Sequence, residues 1–239
     1  MTVIPSSKLH LANLAAVHSS IVSCERCPRL RSYCQTIARQ KKRAFRDEVY
    51  WGRPVPGFGD PGARLLILGL APAAHGANRT GRVFTGDGVG GSGDFLMTAL
   101  HAHGFASIPT SHHRADGLSL ADAYIAAAVR CAPPDNKPTP EEIARCLDHL
   151  DAEVAQLPNI QVVVALGKIG FDAWLRLLKH RGVRVSPRPE FGHGVVARFD
   201  AGLPSLVGSY HPSRQNTNTG KLTPRMMSEV FRKARRLLT

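Results

Sequence analysis

Four of the five cysteines occur at spacings that suit a metal centre. Cys24 and Cys27 form a C-x2-C pair with Pro28 directly after it, and Cys131 and Cys146 form a C-x14-C pair far downstream. A C-x2-C pair lets two thiolates converge from one turn, and four thiolates complete a tetrahedral zinc site or anchor an iron–sulfur cluster. Spacing alone does not separate zinc from iron and sulfur, or a metal centre from unrelated buried thiols.

The expected cellular compartment limits the chemistry that is open to the five cysteines. The first residues have a broken apolar pattern and no small-residue cleavage site, so we expect no signal peptide and a cytoplasmic protein. Structural disulfides are rare in that setting. A thioredoxin-like redox pair follows a strand and opens a helix, and no strand is predicted before Cys24. Cys34 remains as the odd cysteine outside both pairs.

A second set of chemistry-bearing residues follows four apolar runs. The first run ends in a segment rich in small residues, Gly69 to Asp87, and the others end in RCAPPDNKP, GKIG and SYHPSRQNTNTGK. The polar residues of these segments are Asp87, Asn136, Lys168, His211, Ser213, Arg214 and Asn216. Each has an ordinary explanation as a turn former or a satisfied buried side chain. Their shared position after apolar runs favours a polar cleft.

The elements that would position these residues alternate along the chain. The patterns predict strands at 64–70, 123–129, 162–166 and 205–208, and helices at 8–23, 94–103, 138–157, 170–180 and 223–238. Thr139 and Pro140 suit the start of the third helix, whereas residues 36–64 show no clear period. We therefore expect a three-layer α/β fold with a central, mostly parallel four-stranded sheet flanked by helices. Ligands of such sheets gather beyond the carboxyl ends of the strands.

Composition and charge limit the classes of function. The 239 residues, 43% of them hydrophobic, suffice for one well-buried domain. Lys and Arg exceed Asp and Glu by 31 to 18, which gives a formal net charge of +13. Because no segment reaches the roughly 18 consecutive apolar residues of a spanning helix, nucleic acid is the expected partner and a membrane is not.

Three motifs together carry a resemblance to a known family. GLAPA with the following HGANRTGRVFTGD, the four paired cysteines, and HPSRQNTNTG resemble the family 5 uracil-DNA glycosylases, a broad-specificity type that carries a 4Fe-4S cluster. The likeness runs from Cys24 to the end of the chain. It implies one glycosylase-like domain over 1–239, in which segment 1–63 wraps around the rest and supplies two cluster ligands. The implied ligands are Cys24, Cys27, Cys131 and Cys146.

The resemblance implies a monofunctional DNA glycosylase that flips a deaminated base out of DNA and hydrolyses its N-glycosidic bond, leaving an abasic site. Uracil is the expected base, with hypoxanthine and xanthine as further substrates. Other types of the superfamily place an Asp or Asn just after the first strand to activate water, and here that position is Ala71, as expected of family 5. The implied catalytic residues are Asp87, Asn136 and His211.

The resemblance also implies residues that contact the base and the DNA. They are Ala71, Pro72, His75, Asn78, Phe84, Ser213, Arg214 and Gln215. Phe84 is expected to stack on the extruded base, although a core phenylalanine that anchors the loop explains it equally well. Arg214 or Gln215 would enter the minor groove and fill the vacated stack. The expected partner of the monomer is double-stranded DNA with deaminated bases, with single-stranded DNA as a second form.

Two other classes of function remain open on the sequence. A non-catalytic, metal-stabilised DNA-binding module explains the charge and the cysteines but leaves Asp87, Asn136 and His211 without a task. A nucleotide-binding redox enzyme explains the glycines, but no G-x-G-x-x-G follows a strand in the required context.

Overall fold

The structure is a computed structural model that describes residues 6–199 and 202–238. The helices are α1 (Ser6–Val22), α2 (Pro28–Gln40), α3 (Ala77–Thr80), α4 (Ser92–Ala102), α5 (Pro140–Val154), α6 (Lys168–His180), α7 (Arg214–Asn218) and α8 (Pro224–Leu237). The strands are β1 (Phe58–Gly59), β2 (Leu65–Gly69), β3 (Ala123–Ala127), β4 (Val162–Leu166), β5 (Val196–Ala197) and β6 (Ser205–Ser209). Single turns of 3-10 helix lie at Arg43–Phe45 and Pro134–Asn136. Helices and strands alternate through most of the chain after β2.

The strands of the described residues form one sheet in the order β1-β3-β2-β4-β6-β5. The inner strands β3, β2, β4 and β6 are parallel, and β1 and β5 pair with them in antiparallel fashion at the two edges. The predicted parallel core of four strands is confirmed. The prediction misses the edge strands because each has only two residues, which is too short to show a period.

Side chains of the inner strands alternate between two hydrophobic cores, one on each face of the sheet. Leu65 and Ile67 of β2 join the core that includes α4 and α8, whereas Leu66 and Leu68 join the core that includes α5 and α6. This is the two-residue period of a strand. Because helices cover both faces, the inner strands read as unbroken apolar runs. The expected three-layer α/β class is confirmed.

The start of α5 follows the predicted pattern. The Thr139 hydroxyl accepts from the Glu142 backbone N–H at 3.2 Å, and the Glu142 carboxylate accepts from the Thr139 N–H at 2.8 Å. This capping box satisfies two helix-end donors and fixes the first helical residue as Pro140. Arg29 also donates to both Glu142 oxygens, at 2.8 and 2.7 Å, which ties the start of α2 to the start of α5.

The helix α2 is absent from the prediction and overlaps the passage predicted to be irregular. Its buried residues are Leu30, Arg31 and Cys34, so a charged residue interrupts the buried face and no regular apolar stripe appears. α1 packs against α5, and α2 packs against α3. The single-domain organisation over 1–239 stays a prediction. No helix in the described part of the chain has both the length and the apolar character needed to cross a membrane.

Candidate active site and cysteine-lined cavity

The predicted site residues follow the carboxyl ends of the parallel strands. Residues 70–91 follow β2, residues 128–139 follow β3 and residues 210–222 follow β6. The Arg214 Nη2 donates to the backbone oxygen of Asp87 at 3.1 Å, although β4 separates β2 from β6 in the sheet. The loops after β2 and β6 therefore meet above β4, at the edge where the sequence predicts a cleft.

Asp87 is half-buried, and its carboxyl group lies against the backbone of Gly76. A Cβ atom at residue 76 would lie 1.8 Å from the Asp87 Oδ1, so only glycine leaves room for the carboxylate. Burial raises the pKa of Asp87 to about 6, and a hydrogen bond from the Gly93 backbone and the charge of Arg214 limit the rise. The carboxyl group is therefore mostly ionised at pH 7 and becomes protonated in mild acid.

His211 approaches the same site from the loop after β6. Burial lowers the pKa of His211 to about 4, so the imidazole is neutral at pH 7. Its backbone oxygen accepts from the Asn216 Nδ2 at 2.9 Å, which fixes the turn around it. The centre of its ring lies 5.9 Å from the centre of the Phe84 ring, with 30° between the planes.

Phe84 connects the site to the core. Its φ of 50° is a left-handed conformation that is costly for a bulky residue. The ring packs against Gly69 at the end of β2, where a Cβ atom would lie 2.9 Å from the ring. Phe84 is half-buried and borders the core on the α4 and α8 side. The structure therefore supports the role of Phe84 as an anchor of the loop, and stacking on the base stays a prediction.

Two buried arginines hold the loop between Gly69 and Asp87. The Arg79 Nη2 donates to the Gly86 oxygen at 2.6 Å, and its Nη1 pairs with Glu48. The Arg82 Nη2 pairs with Asp116 at 2.6 Å, and both arginines are buried. These two arginines are not among the residues predicted from the sequence to take part in catalysis or to contact the base or the DNA. The signal was the presence of long cations in a loop otherwise made of small residues.

Two predicted DNA contacts turn inward. The His75 Nδ1 lies 3.0 Å from the Tyr50 hydroxyl oxygen. Asn78 is fully buried, and its Nδ2 donates to the Cys34 backbone oxygen at 3.3 Å. This placement corrects the predicted DNA-binding role of Asn78, because a short helix, α3, carries the side chain against α2. Asn78 instead holds those two helices together.

The remaining predicted contacts lie at or near the surface. Arg214 and Gln215 are exposed at the start of α7, and the Ser213 hydroxyl caps that helix by accepting from the Asn216 N–H at 3.4 Å. Asn136 is exposed in a left-handed turn with a φ of 57°. Its predicted part in catalysis stays a prediction. Pro72 is buried, and Ala71 is half-buried beside the apolar cluster that contains Cys131 and Cys146.

The four predicted ligand cysteines line one cavity. Cys24 and Cys27 lie between α1 and α2, Cys131 follows β3 and Cys146 lies on α5. Three separate segments of the chain therefore bring four thiols to one cavity, and their role as metal ligands stays a prediction. Cys34 is fully buried in the adjoining apolar cluster and lies outside the cavity lining.

The surroundings of the cavity suit an anionic metal cluster. Burial raises the pKa of Cys146 to about 11, so the free thiol is protonated at neutral pH and a bound metal would displace the proton. The Arg130 backbone N–H already donates to the Cys146 Sγ at 3.3 Å, as it would to a ligating thiolate. The basic residues of the lining are Arg26, Arg31, Arg130, Arg145 and His149. Among the described residues, no three His, Cys, Asp or Glu side chains form a group that could hold a single metal ion.

Comparison with known proteins places the chain in a family. Residues 56–235 match the profile described as the uracil DNA glycosylase superfamily. The chain belongs to this superfamily. The match includes the loops that carry Asp87, Asn136 and His211, and it begins after Cys24 and Cys27.

Within the superfamily, the chain is similar to type-5 uracil-DNA glycosylases. It is 51% identical to that of Mycobacterium tuberculosis over 94% of this chain and 82% of the relative. It is 51% identical to that of Thermus thermophilus over 91% of this chain and 95% of the relative. It is 45% identical to that of Pyrobaculum aerophilum over 90% of this chain and 88% of the relative. The resemblance to family 5 drawn from the motifs is confirmed.

Proposed function

We propose that this protein excises uracil from DNA by hydrolysing the N-glycosidic bond. One observation carries the proposal. An ionised Asp87 and a neutral His211 lie in loops that follow the carboxyl ends of the strands, and Arg214 links these two loops. The similar relatives are named type-5 uracil-DNA glycosylases, which supports removal of uracil as the reaction. The net charge of +13 supports DNA as the substrate.

Asp87 acts on the sugar in this proposal. Cleavage of the bond builds positive charge on the deoxyribose, and a nearby carboxylate lowers the energy of that state. The half-buried carboxylate beside Gly76 is near the charges of Arg214 and Arg79, but burial outweighs them and leaves its pKa raised. Asp87 also orients the attacking water, and Asn136 is the second hydrogen-bond partner of that water.

His211 acts on the departing base. A neutral imidazole donates an N–H to a carbonyl oxygen of the base and stabilises the anion that leaves. Its low pKa keeps the ring neutral, so the donor remains available throughout the neutral range. Ala71 offers no polar side chain that could activate water, which is why that task falls to Asp87 in this proposal.

The base reaches these groups only when it has left the duplex. Extrusion costs roughly a few kcal/mol and is cheapest at mismatches and lesions. Stacking on Phe84 returns about 1 to 3 kcal/mol of that cost. Arg214 and Gln215, exposed at the start of α7, fill the gap in the stack.

The range of substrates follows from the small residues of the loop. Ala71, Ala73 and Ala74 leave a roomy pocket that makes few hydrogen bonds to the base, and such pockets discriminate weakly. We extend the proposal to hypoxanthine and xanthine, in double-stranded and single-stranded DNA. The proposed enzyme acts as a monomer in the cytoplasm.

We further propose that Cys24, Cys27, Cys131 and Cys146 hold a 4Fe-4S cluster. The shared cavity, the backbone donor to Cys146 and the basic lining support a cluster of negative charge. When bound, the cluster supplies structural cross-linking and DNA affinity. Cys131 connects β3 to the loop that carries Asn136, and Ala71 packs on the same apolar cluster.

Incubating the iron-loaded full chain with duplexes that each contain one deaminated base tests the proposal. Alkali should nick the strand at uracil, because an abasic site is alkali-labile, and the same duplex with thymine should stay intact. Binding without nicking at any base would instead support a non-catalytic, metal-stabilised DNA-binding module. Four irons per chain and a brown colour would support the cluster, and stoichiometric zinc would contradict it.

A further inference from the structure

One buried arginine on the cavity wall has donors that no acceptor uses. The Arg130 side chain is 1% exposed, and its Nη1 lies 2.7 Å from the Oε2 of Glu153, which is 0% exposed. The Nε and Nη2 of Arg130 have no hydrogen-bond partner among the described residues, and Nη1 has only the ion pair with Glu153. Buried donors without a partner destabilise the folded chain, so these two point to an acceptor of another kind.

Glu153 holds the guanidinium on the cavity wall. Its Oε1 accepts from the Gly57 N–H at 2.8 Å and from the Tyr124 hydroxyl at 3.0 Å, and the His18 Nε2 lies 3.3 Å away. Burial opposes ionisation of Glu153, but the charge of Arg130 prevails and lowers its pKa to about 2. The carboxylate is therefore ionised and fixed in place, so the guanidinium is charged and fixed as well.

Two neighbouring arginines of the cavity, Arg31 and Arg26, donate to acceptors within the protein. The Arg31 Nε donates to Glu25 and its Nη1 to the Gly52 oxygen, both at 3.1 Å. The Arg26 Nη1 donates to Asp148 at 2.9 Å, and its side chain is 49% exposed. Arg130 thus combines full burial, positive charge and unpartnered donors beside the four cysteines.

We propose that Arg130 is a positioning residue for the cluster, whose sulfur atoms accept the free N–H groups of its guanidinium. This inference rests on the proposed 4Fe-4S cluster. A cluster held by four thiolates is anionic, and hydrogen bonds to its sulfurs and nearby charge set both its retention and its reduction potential. Arg130 places a fixed cation and several donors where that charge is buried. Glu153, linked onward to Tyr124 and His18, keeps the cation from turning away.

Arg130→Lys is the main test variant, because it keeps the ion pair with Glu153 while removing the planar set of donors. Arg130→Gln alone would leave Glu153 buried without a counter-charge, so Arg130→Gln with Glu153→Gln is the second variant. The matched controls are Arg181→Lys, and Arg181→Gln with Asp151→Asn, which alter a partly exposed ion pair outside the cavity lining. Proteins are purified without oxygen, and iron release to a ferrous chelator and the reduction potential are measured.

Both Arg130 variants should release iron about 10- to 100-fold faster than the natural chain, as loss of outer partners of metal ligands does elsewhere. Their reduction potentials should become more negative, whereas both controls should stay within about twofold of the natural release rate. Natural release rates and potentials in folded Arg130 variants would overturn this inference and leave the cluster standing. A natural chain without iron would overturn the cluster itself and the role of Arg130 with it.

Discussion

Burial moves the two central ionisable residues in opposite directions. It raises the pKa of Asp87 to about 6 and lowers the pKa of His211 to about 4, because in each case the charged form loses water. At pH 7 the site therefore holds one negative carboxylate and one neutral imidazole. That combination suits a reaction in which the sugar becomes positive and the base leaves as an anion.

Asp87→Asn should separate chemistry from binding. Excision in a single turnover should fall by at least about 100-fold, because the charge opposing the sugar cation is lost, while affinity for uncleaved DNA holds. The variant should also gain stability at pH 8, on the order of 2 kcal/mol, because it no longer buries a charge.

Rapid-quench excision, a binding assay and thermal melting measure these effects. Asp47→Asn, at a side chain that is 92% exposed, is the control. Unchanged excision would remove Asp87 from the mechanism.

The pH dependence of excision should have one limb near pH 6. Activity should be lost as the pH falls through that value, and at pH 5 only about a tenth of Asp87 would be ionised. Stability should change in the other direction. Since the folded pKa lies above the ordinary 3.8, the folded state binds the proton more tightly and gains stability as the pH falls from 6 toward 4. Single-turnover excision rates, measured at saturating enzyme over a range of pH, check the predicted loss of activity. The same pH dependence in Asp87→Asn would contradict the assignment of this limb to Asp87.

At the scale of elements, the loop after β2 is a rigid support and not a flexible flap. Arg79 and Arg82 are buried within it and bonded to Gly86 and Asp116. Arg214, at the start of α7, donates to the backbone oxygen of Asp87 in this loop. The loops after β2 and β6 therefore hold Asp87 in place together. Small changes in this support should therefore reach the chemistry.

Gly76→Ala tests that support without altering any ionisable group. The new methyl group would need the space of the Asp87 Oδ1, which lies 1.8 Å from the expected Cβ position. A displacement of about 1 Å at a reacting group can cost about 100-fold in rate, so excision should fall about that much while DNA binding remains. Gly62→Ala is the matched control, because its Cβ would lie 3.3 Å from a carboxylate oxygen of Asp60, on the N-terminal side of β2 and away from the site. Natural excision by Gly76→Ala would mean that the carboxylate moves freely.

At the scale of the whole molecule, the cysteine cavity joins parts of the chain that are far apart in sequence. Cys146→Ala should lower both the melting temperature and the affinity for DNA, because losing a ligand releases the cluster and the segments it connects. Cys34→Ala is the control, because it removes a fully buried thiol that contacts Cys131 but lies outside the cavity lining, and it should keep its iron. Iron content, melting and binding report the outcome. Normal melting and affinity of an iron-free Cys146→Ala protein would exclude this role.

The excess of positive charge should make DNA binding strongly dependent on salt. Each phosphate that the protein neutralises contributes about −0.9 to the slope of log affinity against log salt. With six contacts the affinity should fall about 1000-fold between 50 and 200 mM salt. Fluorescence anisotropy with an abasic-site duplex measures the slope, and an uncharged ligand provides the control. A slope near zero would contradict a phosphate-binding surface.

Helices and strands with a clear local pattern in the sequence are predicted correctly. Short elements and side-chain placements that depend on distant residues are not. The four inner strands were found because strands buried on both faces are apolar runs, and the start of α5 was found from Thr139 and Pro140. The helices α2, α3 and α7 were missed, since α3 and α7 have four and five residues and α2 buries an arginine. Asn78 was misassigned because its sequence neighbours are those of a ligand loop while its side chain turns toward α2.

The sequence by itself determined the layered α/β architecture and the family, and it predicted the candidate ligand cysteines together with Asp87 and His211. These follow from the order of apolar runs, the spacing of residue types and motifs contiguous in the chain. Only the tertiary structure decided what each environment does to its residues. The raised pKa of Asp87, the neutral His211, the fit at Gly76 and the two unpartnered donors of Arg130 all arise from burial and from groups far away in sequence. Burial and orientation belong to the packed chain, and residue order alone does not record them.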